Sequence, residues 1–353
     1  MLCIFGGKSQ KTEKNTRVKA RVKAHALKEI IASKDKVLVM GHRMPDVDSL
    51  GACIGICRIA RICGKEALIV LNDVTDSLQS MTSLFNDKNE YGERMFVTPK
   101  DAMDLVPANT VLVVVDVNRP VITECPDLLR MCKTVVVIDH HRQSSDTIDN
   151  ATLSYIEPYA SSSCEMVSEI LQYTSDNLRI RSEEADCLYA GMVVDTNNFL
   201  AKTGVRTFEA AAFLRRHGAD VTRVRKMFRE NVLDYKAKAD AVSQAAIYKN
   251  NYAISYCNAE DVANPPVIGA QAANELLNIK GVKASFVLTP YQGKIYISAR
   301  SIDEVNVQII MERMGGGGHL NMAACQMENA TLAEAEGALK NTLDTMIEEG
   351  DLS

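Results

Sequence analysis

Val37-Leu38-Val39-Met40-Gly41-His42-Arg43-Met44-Pro45-Asp46-Val47-Asp48-Ser49 passes from a short apolar run into a tight polar loop. The segment that follows, residues 49–63, sets Ile54, Ile56, Ile59, Ala60 and Ile62 among Arg58 and Arg61, a helical distribution in which Cys53 and Cys57 fall one turn apart as small packing residues. A strand feeding a loop and then a helix is the first piece of a crossover unit. Working outward, residues 67–71, 111–115 and 134–138 repeat the short apolar run with longer stretches between them. The alternation predicts an α/β domain with a parallel central sheet flanked by helices.

Beyond residue 150 the pattern turns helical, with helices expected over 162–173, 182–194, 206–217 and 221–248 and no strand among them. From residue 251 a mixed pattern starts, with strands near 252–257, 284–288 and 294–299 and helices near 270–277 and Leu332–Glu348. A chain of 353 residues fits two domains, since domains run to roughly 100 to 200 residues each. The boundary is expected at 235–250, giving a first domain at 36–240 and a smaller mixed α/β domain at 251–353. Residues 1–35 read as a linker: Lys8, Lys11, Lys14, Arg17, Lys19, Arg21 and Lys23 are opposed only by Glu13. Such a stripe can meet an acidic membrane surface or nucleic acid, or it can be a solvated lead-in to a helix; no function is built on it.

The balance of 40 basic against 45 acidic residues gives a net charge of -5, which argues against a partner as polyanionic as long nucleic acid. Ten cysteines are scattered without a C-x-x-C pair or a secretory leader, so a reducing, cytosolic setting is expected. The apolar runs are far shorter than the roughly 18 residues that cross a bilayer, and no membrane contact is expected from the chain itself.

The polar residues gather at strand ends. His42, Asp46 and Asp48 follow the first core strand, Asp116 closes the third, and Asp139-His140-His141 closes the fourth. Ligands of open α/β sheets sit just beyond the carboxyl ends of strands. An isolated aspartate there is commonly a helix cap, but this many carboxylates in one cleft would repel one another unless cations held them. Imidazole and carboxylate without thiolate favour hard or borderline divalent ions, Mn²⁺ first, with Mg²⁺, Co²⁺ and Fe²⁺ as rivals. Asp195 ends a predicted helix, where the helix dipole disfavours an acid unless a cation faces it. Ser161-Ser162-Ser163 reads as the cap of the helix at 162–173. The run Gly315-Gly316-Gly317-Gly318, beside His319 and downstream of Arg300, offers backbone N–H groups and cationic donors to an anion.

The series G-H-R-M-P-D-V-D-S at 41–49, V-V-V-D at 113–116, D-H-H at 139–141 and M-V-V-D-T-N-N-F at 192–199 resembles the DHH phosphoesterase superfamily. Ser298-Ala299-Arg300-Ser301 and G-G-G-G-H at 315–319 are similar to its DHH-associated substrate-binding domain, so the likeness covers about 36–330. The arginine in G-H-R-M-P-D, T-G-V-R-T-F-E-A-A at 203–211 and the stub F-G-G-K-S-Q-K-T-E-K-N-T at 5–16 most resemble the GdpP-type branch that cleaves cyclic di-AMP. That resemblance implies two metal ions, one held by His42, Asp46 and Asp116 and the other by Asp48, Asp116, His140 and Asp195. Asp116 would bridge them, Asp139 would orient an imidazole, and His141 would meet the scissile phosphate. Arg300, Gly316, Gly317, Gly318 and His319 would bind the nucleotide in a cleft between the domains. A metal-activated hydroxide would open cyclic di-AMP to linear 5′-pApA.

The same resemblance implies an upstream membrane-anchored module with this chain on the cytoplasmic side, and a possible homodimer. One departure is Cys325, where a smaller residue, often glycine, is expected. A DHH-family nanoRNase and pAp phosphatase acting on short linear oligonucleotides is the alternative within the superfamily. A non-catalytic cyclic-dinucleotide sensor is the alternative from another class.

Overall fold

The computed structural model describes residues 8–72, 74–85, 94–106, 109–259, 261–302 and 304–352. Residues 5–7 of the N-terminal stub lie outside them. The chain divides into two compact units, one up to Arg229 and one from Glu230.

In the first unit, β1 (Lys36–Met40), β2 (Glu66–Val70), β3 (Phe96–Val97), β4 (Thr110–Val115), β5 (Thr134–Asp139) and β6 (Leu153–Ile156) form a sheet in the order β3-β2-β1-β4-β5-β6. Every pairing is parallel, with Met40 opposite Val114 and Val115 opposite Ile138. Side chains alternate faces along a strand, and β1 shows it: Val37 and Val39 join one buried cluster, Leu38 and Met40 the other. Both faces are therefore covered, which is why the core strands read as unbroken apolar runs. Leaving β1, the chain goes first to β2 on one side and later to β4 on the other. The strand order reverses between β1 and β4, and a crevice opens beyond their carboxyl ends at such a switch point. His42 and Asp116 follow those two strands.

Helices Val47–Ile62 and Ser163–Gln172 pack on the sheet, and Ser182–Asp195 and Val205–Arg216 pack on those helices within the same buried cluster. β6 is a strand the periodicity does not announce, because on this edge only Tyr155 is buried and no apolar alternation is needed. The basic N-terminal segment also departs from the linker reading. It is a helix, Lys8–Ala32, whose Ala20, Ala24, Leu27 and Ile31 are buried in the first unit. Their spacing of four, three and four residues is an amphipathic stripe hidden among charges. Lys23 and Lys28 then tie the helix down by donating to the carbonyls of Ser154 and Thr174 at 2.7 and 2.9 Å. No helix among the described residues is long and apolar enough to cross a membrane.

The second unit holds β7 (Ala246–Tyr248), β8 (Tyr252–Tyr256), β9 (Ala284–Tyr291), β10 (Lys294–Ser301), β11 (Gly317–His319) and β12 (Met322–Glu328) in the order β11-β12-β10-β9-β8-β7. Only β8 and β9 run parallel, so the sheet is mixed, with helices Pro265–Leu276 and Leu332–Glu348 packed against it. The long helix expected over 221–248 is instead two, Val221–Met227 and Val232–Ser243, followed by β7. The second starts afresh because Asn231 caps it, accepting from the Asp234 amide at 2.8 Å. β7 turns into β8 through the three residues between the paired Tyr248 and Tyr252: Lys249 and Asn250 take positive φ, and the Asn251 amide donates to Tyr248 O at 3.2 Å. Ala241 of that helix packs with Ala253, Cys257 and Ala272, which moves the boundary back from 240 to 229/230. Helix Val307–Arg313, β11 and β12 are further elements absent from the sequence reading.

Candidate metal centre

The loop after β1 is pinned before it carries any chemistry. Arg43 donates its amide to Ile122 O at 2.8 Å, and Glu124 donates to Gly41 O at 2.9 Å, so His42 is held against Thr123. Asp46 then serves twice: one oxygen accepts from the Ser49 amide at 2.9 Å as the cap of helix Val47–Ile62, and the other lies 3.5 Å from His42 Nε2. Asp48, one residue inside that helix, is fully buried. Its Oδ2 and Oδ1 accept from the backbone amides of Ser163 and Cys164 at 2.7 and 2.9 Å, at the start of helix Ser163–Gln172.

Asp116 sits in the left-handed region at φ 62, an unusual setting for a non-glycine residue and one found at functional sites. Its amide donates to Ile138 O at 2.9 Å, which fixes the turn out of β4. The carboxylate points one oxygen at each of two imidazoles: Oδ2 lies 3.4 Å from His42 Nε2 and Oδ1 lies 3.3 Å from His140 Nε2. His140 Nε2 also faces Asp195 Oδ2 at 3.3 Å and Asp48 Oδ2 at 3.9 Å.

Three groups of donor atoms thus converge: His42, Asp46 and Asp116; Asp48, His140 and Asp195; and Asp116, His140 and His141. All six residues expected as ligands fall within them. A cation fits this arrangement, because His140 Nε2 is buried, makes no hydrogen bond, and is nevertheless ringed by carboxylate oxygens.

Asp139 is fully buried, belongs to none of these groups and faces His141, accepting from its amide at 3.0 Å and meeting Nδ1 at 2.8 Å. The other Asp139 oxygen takes the Asn118 amide NH₂ at 2.6 Å. The imidazole that Asp139 orients is therefore that of His141.

Without cations, protons take up the charge. Burial works to strip His42, but hydrogen bonds and charge from Asp116 and Asp46 overcome it and push the imidazole up to about 10. His140 behaves alike, with burial opposed by Asp116, Asp48 and Asp195, and rises to about 9. Burial first, then the charges of Asp116 and Asp195, drives Asp48 well above the carboxylate range. Burial and Asp116 lift Asp195 to about 6. Asp116 alone goes the other way: burial would raise it, but the imidazoles of His140 and His42 beside its two oxygens hold it well below its usual value.

Asn118, Ser163 and the Cys164 amide belong to this site and were not singled out by sequence as ligand supports. Ser162 is the cap, as the sequence implies, accepting from Glu165 N at 3.0 Å, while Ser163 Oγ donates to Asp116 Oδ1 at 3.0 Å. The available signal was a helix start rich in hydroxyls, which does not distinguish a cap from a donor to a distant acid. Helices Val47–Ile62 and Ser182–Asp195 approach closely at Gly191, where a Cβ would stand 2.4 Å from Cys164 Sγ and 2.9 Å from Asp48 Oδ1. Gly191→Val is expected to destabilise the chain by roughly 1 to 3 kcal/mol, the usual cost of overpacking, as read from denaturant unfolding.

In the second unit, Arg300 Nη1 donates to Ala299 O at 2.8 Å, and its Nε is buried without a hydrogen-bond partner. The glycine run, read from sequence as an anion-binding element, is partly an edge strand. Gly317, Gly318 and His319 pair with Ala324, Ala323 and Met322 as β11. A Cβ at Gly316 would stand 2.2 Å from Ala324 O, and one at Gly318, at φ +151, 2.4 Å from Ala323 Cα. Those two glycines let the edge strand lie against β12, whereas Gly317 opens onto free space. Cys325 is buried 2.4 Å from where a Gly316 Cβ would be, so that glycine makes room for it.

Residues 36–192 match the DHH family, N-terminal domain, and residues 249–349 match the DHHA1 domain. The chain is 43% identical over 350 residues to the cyclic-di-AMP phosphodiesterase GdpP of Geobacillus thermodenitrificans and 42% identical over 351 residues to that of Bacillus subtilis, in each case across 98% of this chain and 53% of the relative. It thus spans about half the length of the curated relatives it matches. An exopolyphosphatase-related protein of Bacteroides fragilis shares the fold at a TM-score of 0.77 and 21% identity, over 92% of this chain and 96% of that one. The parallel sheet with its strand-end acids and histidines coincides with the DHH family match and the mixed sheet with the DHHA1 match, so the chain carries a DHH family N-terminal domain followed by a DHHA1 domain.

Proposed function

We propose that the chain is a metal-dependent phosphodiesterase that opens cyclic di-AMP to linear 5′-pApA. The observation that carries this reading is Asp116, which offers one oxygen to His42 and its group and the other to His140 and its group. His42, Asp46 and Asp116 would hold one divalent ion; Asp48, Asp116, His140 and Asp195 would hold a second. Mn²⁺ suits this mixed imidazole and carboxylate set. When bound, the ions supply a water of lowered pKa and neutralise phosphate charge.

The protein's part is placement. Ser163 N, Cys164 N and Ser163 Oγ fix Asp48 and Asp116 from behind, so neither carboxylate needs to reorganise during turnover. Asp139 holds His141 by Nδ1, leaving Nε2, on a side chain 59% exposed, to meet a phosphate oxygen of the scissile linkage. Arg300, with an unpaired buried Nε, together with the open Gly317 and His319, would take a phosphate of the nucleotide, while Gly316 and Gly318 seat the strand that carries them. The named activity of relatives at 42 and 43% identity supplies the substrate.

Incubating the purified chain with Mn²⁺ and, separately, cyclic di-AMP, linear pApA, pAp and a short RNA tests the reading, with Asp46→Ala as control and products followed by chromatography. Accumulation of pApA from cyclic di-AMP is the expected result. Faster cutting of the linear substrates would replace it with the short-oligonucleotide activity named for relatives such as that of Mycoplasma genitalium, at 29% identity. No turnover of any of them would leave a nucleotide sensor. Arg300→Ala is expected to raise KM for cyclic di-AMP by roughly 10- to 100-fold, the worth of a hydrogen bond to a charged group, while calorimetry shows unchanged Mn²⁺ affinity.

A further inference from the structure

Behind the metal centre lies a second cluster of buried charge that no step above uses. Arg206, 9% exposed near the start of helix Val205–Arg216, grips Glu169 with both arms, Nε and Nη2 donating at 2.7 and 2.6 Å. Its Nε is also 3.7 Å from Glu165. Glu165, 1% exposed, accepts in addition from Thr207 Oγ1 at 2.6 Å and from Ser161 Oγ at 2.6 Å. Thr207 in turn accepts from the Gly204 amide at 3.1 Å.

Arg206 and Thr207 of one helix therefore clamp two successive turns of helix Ser163–Gln172. The first turn of that helix is the one whose Ser163 and Cys164 amides hold both oxygens of Asp48 and whose Ser163 hydroxyl holds Asp116. Buried ion pairs are weak contributors to stability, because the desolvation of two charges offsets their attraction. What a bidentate pair supplies is a fixed distance and a fixed rotation. Glu165 and Glu169, the ends of this clamp, and the three donors to Asp48 and Asp116 belong to one short helix, so a shift of that helix moves the three donors away from Asp48 and Asp116 together.

We infer that Arg206 is a positioning residue for the metal centre, acting through Glu165 and Glu169 on the helix start that holds Asp48 and Asp116. This rests on the metal-centre reading above. Groups that orient metal ligands from behind typically change metal affinity by roughly 10- to 100-fold when removed, and an effect of that size is expected here.

The test compares Arg206→Lys and the paired replacement Arg206→Met with Glu169→Leu in the full chain, measuring Mn²⁺ affinity by calorimetry and stability by denaturant unfolding. The paired apolar replacement is expected to unfold near the midpoint of the unaltered chain while binding Mn²⁺ roughly 10- to 100-fold more weakly, with Arg206→Lys falling between the two. Arg223→Ala is the control. It breaks the ion pair to Asp186 on helix Ser182–Asp195 and is expected to lower stability without changing Mn²⁺ affinity. Should the paired replacement fail to fold, Thr207→Val removes one hydroxyl from Glu165 and is expected to weaken Mn²⁺ binding in the same direction. Unaltered Mn²⁺ affinity in a folded variant would overturn the relay alone. No Mn²⁺ binding by the unaltered chain would overturn the metal-centre reading as well.

Discussion

Asp116→Ala is expected to cut Mn²⁺-dependent hydrolysis of cyclic di-AMP by at least roughly 10³-fold, since charge stabilisation by a metal is worth several kcal/mol and each 1.4 kcal/mol is a factor of ten. The size follows from geometry. Among the candidate ligand carboxylates, Asp116 faces both imidazoles, lying 3.4 Å from His42 and 3.3 Å from His140, whereas Asp46 faces His42 and Asp48 and Asp195 face His140. Its removal also leaves Ser163 Oγ without its acceptor and the left-handed turn at φ 62 without the carboxylate it presents. Asp46→Ala, by contrast, takes a half-exposed acid from one group only, so residual Mn²⁺ binding at His140, Asp48 and Asp195 is expected to survive. Calorimetry separates them: the Asp46 variant should lose one binding event and the Asp116 variant should weaken both. Hydrolysis by the Asp116 variant at an undiminished rate would remove it from the bridging position.

Five of the six candidate ligands were legible because His42, Asp46, Asp48, Asp116 and His140 follow unbroken apolar runs that read as strands buried on both faces, whereas Asp195 ends a helix. Once the strands are placed, parallel pairing brings their carboxyl ends together without further information. What the sequence could not supply is the set of groups that hold those ligands. Ser163 and Cys164 come from a helix more than forty residues beyond Asp116, and their contribution is partly backbone N–H, which every residue type carries. The N-terminal helix hid for a different reason: lysines and arginines occupy so many of its positions that the stripe through Ala20, Ala24, Leu27 and Ile31 is outnumbered. β6 and β11 are edge strands, where burial imposes little pattern. At the glycine run the two readings compete for the same residues. A glycine without a Cβ suits an anion and suits a close-packed neighbour strand, and only the register of β11 against β12 shows that Gly316 and Gly318 are occupied with the second task.

Metal binding is expected to release protons, and its apparent affinity to climb steeply between pH 6 and 9. His42 and His140 are raised to about 10 and about 9 in the metal-free cluster, so at neutral pH both imidazoles are protonated there. A cation can be held only by the neutral ring, so each ion that enters must displace a proton. The sign is fixed by that competition: lowering the pH favours the protonated, metal-free state, and raising it through 9 and then 10 removes the competitor. Below both values, two displaced protons make the overall affinity change by roughly a factor of 100 for each pH unit, because each proton contributes a factor of ten. Asp48, driven well above the carboxylate range, and Asp195, raised to about 6, add further competitors, Asp195 only on the acid side of its value. Calorimetric titrations of Mn²⁺ in buffers of different ionisation enthalpy count the protons directly, and between pH 7 and 8 the count should be at least two for the filled site. A count near zero, with affinity flat from pH 6 to 9, would mean that His42 and His140 are already neutral without metal. It would also mean that the carboxylates around them are balanced by something other than the protons placed on these rings.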